Sequence, residues 1–236
     1  MFLPVSPLFW ILTLPAMLLA LYAQYKVRST FEKYARVPNM HGISGLQAAQ
    51  ILMRNEGLEH LRVNQIPGEL TDFYNPADKS INLSQGSVRP SVAALAIVAH
   101  ELGHALQDRQ GYFWLRARAS IVGIAQIGSN LGVMLFFIGM LLGALQNSFA
   151  WNLALAGVVL FAGAVAFTLI TLPVEFNASS RAREMLMRNG LVARQEMEGV
   201  SAMLNAAALT YVAAAAQAVS QLLYFVLLLF GARRQE

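Results

Sequence analysis

The chain has 236 residues, 56% of them hydrophobic and only 13% charged, a balance too apolar for a water-soluble domain of this length. Its formal net charge of +4 is small and scattered, which argues against a nucleic-acid partner. With no cysteine it can form neither a disulfide nor a thiolate metal site. What remains is a mainly α integral membrane protein whose metal ligands, where it has them, are histidine and carboxylate.

The first apolar run, residues 2–23, has no basic residue ahead of it and Lys26, Arg28, Lys33 and Arg36 behind it. A cleaved signal peptide shows the reverse order of charge, so residues 1–25 read as a retained transmembrane anchor with its N-terminus outside. Pro4, Pro7 and Pro15 blur where its helix begins. Residues 26–118 read as a cytoplasmic domain, because the charges nearest its two ends, Lys26 and Arg28, then Arg116 and Arg118, are all basic.

Within that domain, Ser44 followed by Gln47 has the form of a capping box and predicts a helix over 45–56 that Gly57 closes. Strand-like runs follow at 62–66, 69–74 and 80–84, the last two joined by the turn residues Asn75-Pro-Ala-Asp78. These predict a small sheet. The last strand, 80–84, precedes the next helix and is a candidate to take up an extended substrate by strand addition. Pro90 and Ser91 then open a helix over 92–108, with Gly111 just past its end.

That helix carries His100-Glu101-Leu-Gly-His104, an H-E-x-x-H motif. Four residues advance a helix by about 400°, so the two imidazoles project from one face and can share one metal ion, with zinc-ligand spacing. Glu101 lies beside them, where a carboxylate can take a proton from a metal-activated water and pass it to a leaving amine. With 4 histidines in 236 residues, chance would produce such a match in about three chains per thousand. The uninterrupted apolar run before it, 92–99, is too short to cross a bilayer, so the helix is expected inside protein.

Residues 112–118 mix aromatic rings with Arg116 and Arg118 ahead of the second apolar run, as at a membrane interface. The runs 121–145 and 151–174 predict a transmembrane hairpin, residues 119–174. Gly128 with Gly132, and Gly139 with Gly143, are G-x-x-x-G spacings that permit close helix contact. The turn 146–150 carries no basic residue, as an outside loop should, whereas Arg181, Arg183, Arg188 and Arg194 return the chain to the inside over 175–205. The last run, 206–230, belongs to a C-terminal helix and tail, 206–236. There Arg233 and Arg234 fall outside, against the positive-inside rule, so either this segment does not span fully or the two charges are tolerated.

A catalytic zinc takes three protein ligands and leaves one position open. The residue six after His104 is Gln110 rather than His, which excludes a metzincin site and leaves a carboxylate, His41 or His60. Topology favours Glu175, which waits where the hairpin returns to the cytoplasmic face, at the start of a helical stretch over 175–188. An ionisable residue at the end of a span is a functional candidate, the competing reading being an interfacial pair with Arg181. Asp108 is better placed as a supporting acid, and Glu184 points elsewhere by helical spacing.

Gly68-Glu-Leu-Thr-Asp-Phe-Tyr-Asn-Pro76 with Ile81-Asn-Leu-Ser84, Ala99-His-Glu-Leu-Gly-His-Ala105, Leu172-Pro-Val-Glu-Phe-Asn-Ala-Ser179 and Leu204-Asn-Ala-Ala-Ala-Leu-Thr-Tyr-Val-Ala213 resemble, in order, signature segments of the YugP-like membrane-bound neutral zinc metallopeptidases. The resemblance implies a zinc-dependent endopeptidase of the bacterial inner membrane, acting on a peptide or protein substrate. It implies His100, His104 and Glu175 as zinc ligands and Glu101 as general base, in a zincin-like α+β cytoplasmic domain held by about four transmembrane helices. The arrangement is also similar to the HtpX and prenyl-protein (CAAX) peptidases. Phe73, Asn75 and Asn177 stand where the family usually has His, Asp and Asp, and Ser179 stands where HtpX-like enzymes carry an acid. These changes are expected to remove acids that steady ligand imidazoles, typically a 10- to 100-fold effect. Tyr74, Arg181 and Arg183 are candidate contacts to the substrate or transition state.

Three other readings compete. A site-2-type intramembrane protease needs an L-D-G motif, and no Asp-Gly pair occurs in the chain. A zinc transporter would line its spans with ligands, but these spans contain no His, Asp or Glu in their interiors. A catalytically silent membrane adaptor that kept the fold is the alternative to an enzyme, and Glu101 argues against it, since a binding protein has no use for a base beside the metal.

Overall fold

The structure is a computed structural model that describes residues 7–144 and 146–231. It is mostly helical, and among the described residues four helical segments are long and apolar enough to cross a membrane: α1 (Pro7–Ala35), the pair α4 (Phe113–Ile127) and α5 (Val133–Leu141), α6 (Ser148–Arg188), and α7 (Glu196–Gly231). The shorter elements are α2 (Gly45–Asn55), β1 (Arg62–Ile66), β2 (Phe73–Asn75), β3 (Ser80–Ser84) and α3 (Val92–Arg109). The start of the first apolar run, residues 2–6, and Leu145, Arg233 and Arg234 lie outside the described residues.

Contacts divide the chain into two compact units, one built from Ala23–Arg116 and Pro173–Thr210, the other from the chain up to Tyr22, Ala117–Leu172 and the chain from Tyr211 on. The first unit is organised around α3. Its first eight residues, Val92 to Ala99, are all buried, as is Leu102. Leu52 and Leu58, Ile81 and Leu83, Met185 and Leu186, and Val200 and Met203 complete the same core. Burying side chains of this size contributes about 1.5–3 kcal/mol each, so a helix apolar on nearly every face is most stable at the centre of the unit. The helix starts are set locally. Ser44 and Gln47 close a reciprocal capping box on α2, and the Ser91 hydroxyl accepts from the N–H of Ala94 to open α3.

The sheet has the order β1-β3-β2, with β1 parallel and β2 antiparallel to β3. This corrects the expectation that residues 80–84 accept a substrate strand. All five residues of β3 are buried and both its edges are already paired, so it has no free hydrogen-bonding edge. The strand expected over 69–74 is also shorter. Leu70 has φ 56°, outside the extended region, and pairing starts only at Phe73.

In the second unit, α4, α5 and α6 pack at backbone distance. A Cβ on Gly128 would clash with Leu160 O, one on Gly132 would meet Phe161 N at 2.8 Å, and one on Gly139 Ala154 N at 2.5 Å. Three of the four G-x-x-x-G glycines therefore serve contact within the chain. A π-helical turn, Gly128–Gly132, joins α4 to α5. Phe136 stacks on Phe225 of α7 with ring centroids 4.1 Å apart, and Phe9 of α1 meets Tyr224 edge-on at 5.1 Å.

The helix that carries the expected anchor, residues 1–25, continues to Ala35. The span 151–174 and the stretch 175–188 are one helix, α6, which passes through Pro173 without a break. Proline removes one intrahelical donor and its ring crowds the carbonyl four residues back, yet the helix runs on through it.

Candidate metal centre

His100 and His104 face α6 because α3 and α6 nearly touch at Gly103. A Cβ there would lie 2.6 Å from Ala178 O, so only glycine permits this approach between the two histidines. The contact brings Glu175 over the motif. Its Oε2 lies 3.2 Å from His100 Nε2 and 3.5 Å from His104 Nε2. All three groups offer ligand atoms within 4.8 Å of one another.

This geometry fits a zinc ion. Tetrahedral bonds of about 2.0–2.2 Å separate ligand atoms by roughly 3.3–3.6 Å; the 3.5 Å separation falls inside that range and the 3.2 Å separation just below it. Two imidazoles and one carboxylate are also a ligand set of catalytic type. Glu175 is only 2% exposed, and a carboxylate this deep needs cationic or metal partners to offset its desolvation. His41 and His60, the other histidines, are exposed and away from the cluster, and His41 Nε2 lies 2.8 Å from Gly190 O.

Glu101 is 8% exposed and its Oε2 accepts from the backbone N–H of Tyr74 at 2.8 Å. β2 thus fixes the carboxylate of the motif. The Tyr74 hydroxyl donates to Asp108 Oδ2 at 2.5 Å, and Lys79 Nζ donates to the same oxygen at 2.6 Å. Burial and the Asp108 carboxylate both push the Tyr74 phenol above its ordinary value. Burial would raise Asp108, but the hydrogen bonds from Lys79 and Tyr74 outweigh it and hold that carboxyl below its usual range. For His104, burial disfavours the cation, yet Glu175, with Glu101 close by, outweighs this and holds the imidazole above its ordinary value.

The cluster therefore gathers His100, His104 and Glu175, with Glu101 tied to Tyr74. Arg181 and Arg183 are engaged elsewhere. Arg181 Nε donates to Asn177 Oδ1 at 2.7 Å and its Nη1 to Gln110 Oε1 at 2.7 Å. Arg183 reaches Ser201 and Asn205 on α7. Asp108 braces Tyr74 and Lys79 without joining the ligand group, and Glu184 pairs with Arg188 at 3.6 Å.

The ligand imidazoles have supporting contacts at Nδ1. Ser179 Oγ lies 3.3 Å from His100 Nδ1, and Gln107 Oε1 lies 3.0 Å from His104 Nδ1. Neutral groups occupy both positions. Gly103 and Gln107 carry no sequence signature of their own. The available signal was positional: Gln107 lies three residues after His104, hence on the same helical face.

Residues 9–230 match the profile of a family described as "Putative neutral zinc metallopeptidase". The chain is 41% identical over 227 residues to the "Putative membrane protease YugP" of Bacillus subtilis (strain 168), covering 96% of this chain and 98% of that protein. No solved structure matches it.

Proposed function

The chain belongs to the neutral zinc metallopeptidase family, and from that premise we propose that it is a zinc-dependent, membrane-bound endopeptidase. The observation that carries this reading is the convergence of His100, His104 and Glu175 beside a buried Glu101 whose orientation is held by a backbone donor. When bound, zinc would supply Lewis-acid chemistry, acidifying a water and polarising the scissile carbonyl. The two Nε2 atoms and the Glu175 carboxylate would hold it.

Glu101 takes the proton from the attacking water as the C–O bond forms, then delivers it to the amide nitrogen as the C–N bond breaks. Its second oxygen is the acceptor, since Oε2 is occupied by Tyr74 N–H. The substrate is a flexible segment of a peptide or protein, because only an extended chain can bring its carbonyl into a site this buried.

We place the catalytic residues in a zincin-like domain on the cytoplasmic side of a bacterial inner membrane. Basic residues at 26, 28, 116, 118, 181, 183 and 188, with none in the turn 146–150, support that side. Residues 1–25, 119–174 and 206–236 would lie in or against the bilayer, and 26–118 and 175–205 would form the domain.

Metal content of detergent-purified protein tests the proposal. One zinc per chain is expected in wild type and Glu101→Gln, with Glu101→Gln inactive, and a sharp loss in Glu175→Ala. Wild type that takes up no zinc after supplementation would overturn the peptidase reading in favour of a silent adaptor.

A further inference from the structure

Gln107 is wholly buried and uses both ends of its amide. Its Nε2 donates to Val174 O at 2.8 Å and to Asn177 Oδ1 at 2.9 Å, while its Oε1 faces His104 Nδ1. A backbone carbonyl can only accept, so the atom facing Val174 must be the NH2 group. Asn177 agrees independently. Arg181 has only donors, so the Asn177 atom it contacts must be the oxygen, and that same oxygen receives Gln107 Nε2.

With the Gln107 amide oriented from two sides, the atom facing His104 is an acceptor without a proton. When Nε2 of His104 gives its lone pair to a metal beside Glu175, Nδ1 must then carry the hydrogen. Ser179 cannot do the same for His100, because a hydroxyl donates or accepts as required. Val174 also precedes Glu175, so one side chain spans a ligand on α3 and the backbone beside a ligand on α6.

We propose that Gln107 is a positioning residue of the metal centre: it selects the Nδ1–H tautomer of His104 and fixes α3 to α6 at the ligands, with Arg181 setting its direction through Asn177. This rests on the zinc reading above. The general cost of removing such a partner is about 10- to 100-fold in metal affinity.

The experiment uses the full-length protein in detergent and zinc alone as the probe, with affinity read by chelator competition. Gln107→Leu is expected to weaken zinc 10- to 100-fold. Asn177→Asp, whose oxygens still accept from Arg181 and Gln107, should stay within about threefold of wild type by the same scale. Arg181→Leu should weaken zinc less, and Gln107→Leu combined with Arg181→Leu should cost no more than Gln107→Leu alone, as for residues acting in one chain.

Nitrogen-15 spectra of zinc-loaded wild type need no variant and should show His104 protonated at Nδ1. Zinc affinity unchanged in Gln107→Leu while Glu175→Ala loses the metal would overturn the positioning role and leave the zinc centre standing. So would a His104 protonated at Nε2. Wild type without zinc would instead overturn the functional reading itself.

Discussion

Gly103 lies against the carbonyl of Ala178 so closely that a β-carbon would come within 2.6 Å of that oxygen, and this one contact sets how near α6 can approach the two motif histidines. The site depends on the absence of a side chain as much as on the three that form it.

Gly103→Ala should therefore damage the centre although alanine is the better helix former, by roughly 1 kcal/mol. Forcing the helices apart costs about 1–3 kcal/mol, and the Glu175 carboxylate withdraws from His100 and His104. Thermal unfolding and zinc content together check this: a stable variant with full zinc would mean that α6 can shift without cost to the site.

The Tyr74–Glu101 contact is made by backbone, which separates two substitutions at one position. Tyr74→Phe removes only the bond to Asp108 and should cost about 1.5 kcal/mol of stability, the lower end for a partly exposed bond to a charged group. Tyr74→Pro removes the N–H that holds Glu101 and should depress kcat far more than Tyr74→Phe, with zinc retained. Cleavage of labelled casein by the two variants would distinguish them, and equal kcat values would show that the N–H does not serve the base.

Metal retention should depend on pH through His104. In the metal-free protein its imidazole is held above the ordinary value of about 6.5 by Glu175 and Glu101 against the effect of burial. A raised value means that the protonated form persists to higher pH, so the ion must displace a proton there. Zinc affinity should be flat at alkaline pH and fall about tenfold per unit once pH drops through the raised imidazole value. Glu175→Gln, which removes the carboxylate that favours the cation, should move that break to lower pH. Affinity that stays constant from alkaline pH down to about 6.5 would contradict the coupling.

Much of this protein is readable from local sequence. Runs of apolar residues specify helices able to span a bilayer, because length and hydropathy suffice for that. The pairing of His100 with His104 follows from helical geometry, and the starts of α2 and α3 follow from Ser44, Gln47 and Ser91, since a cap is a contact between neighbours. Glu175 could be singled out by its place at the end of an apolar run.

Tertiary structure decided the rest. That α6 runs unbroken through Pro173, that β3 is a central strand without a free edge, and that Phe73 rather than residue 69 begins β2 depend on which segments pack together. So does the support of the imidazoles. Gln107 reaches Val174 across 67 positions and Ser179 reaches His100 across 79, and both are neutral groups. Propensity and spacing describe a residue's near neighbours along the chain, whereas a hydrogen bond between α3 and α6 exists only once burial has brought the two helices together, and the missing side chain of Gly103 determines how closely.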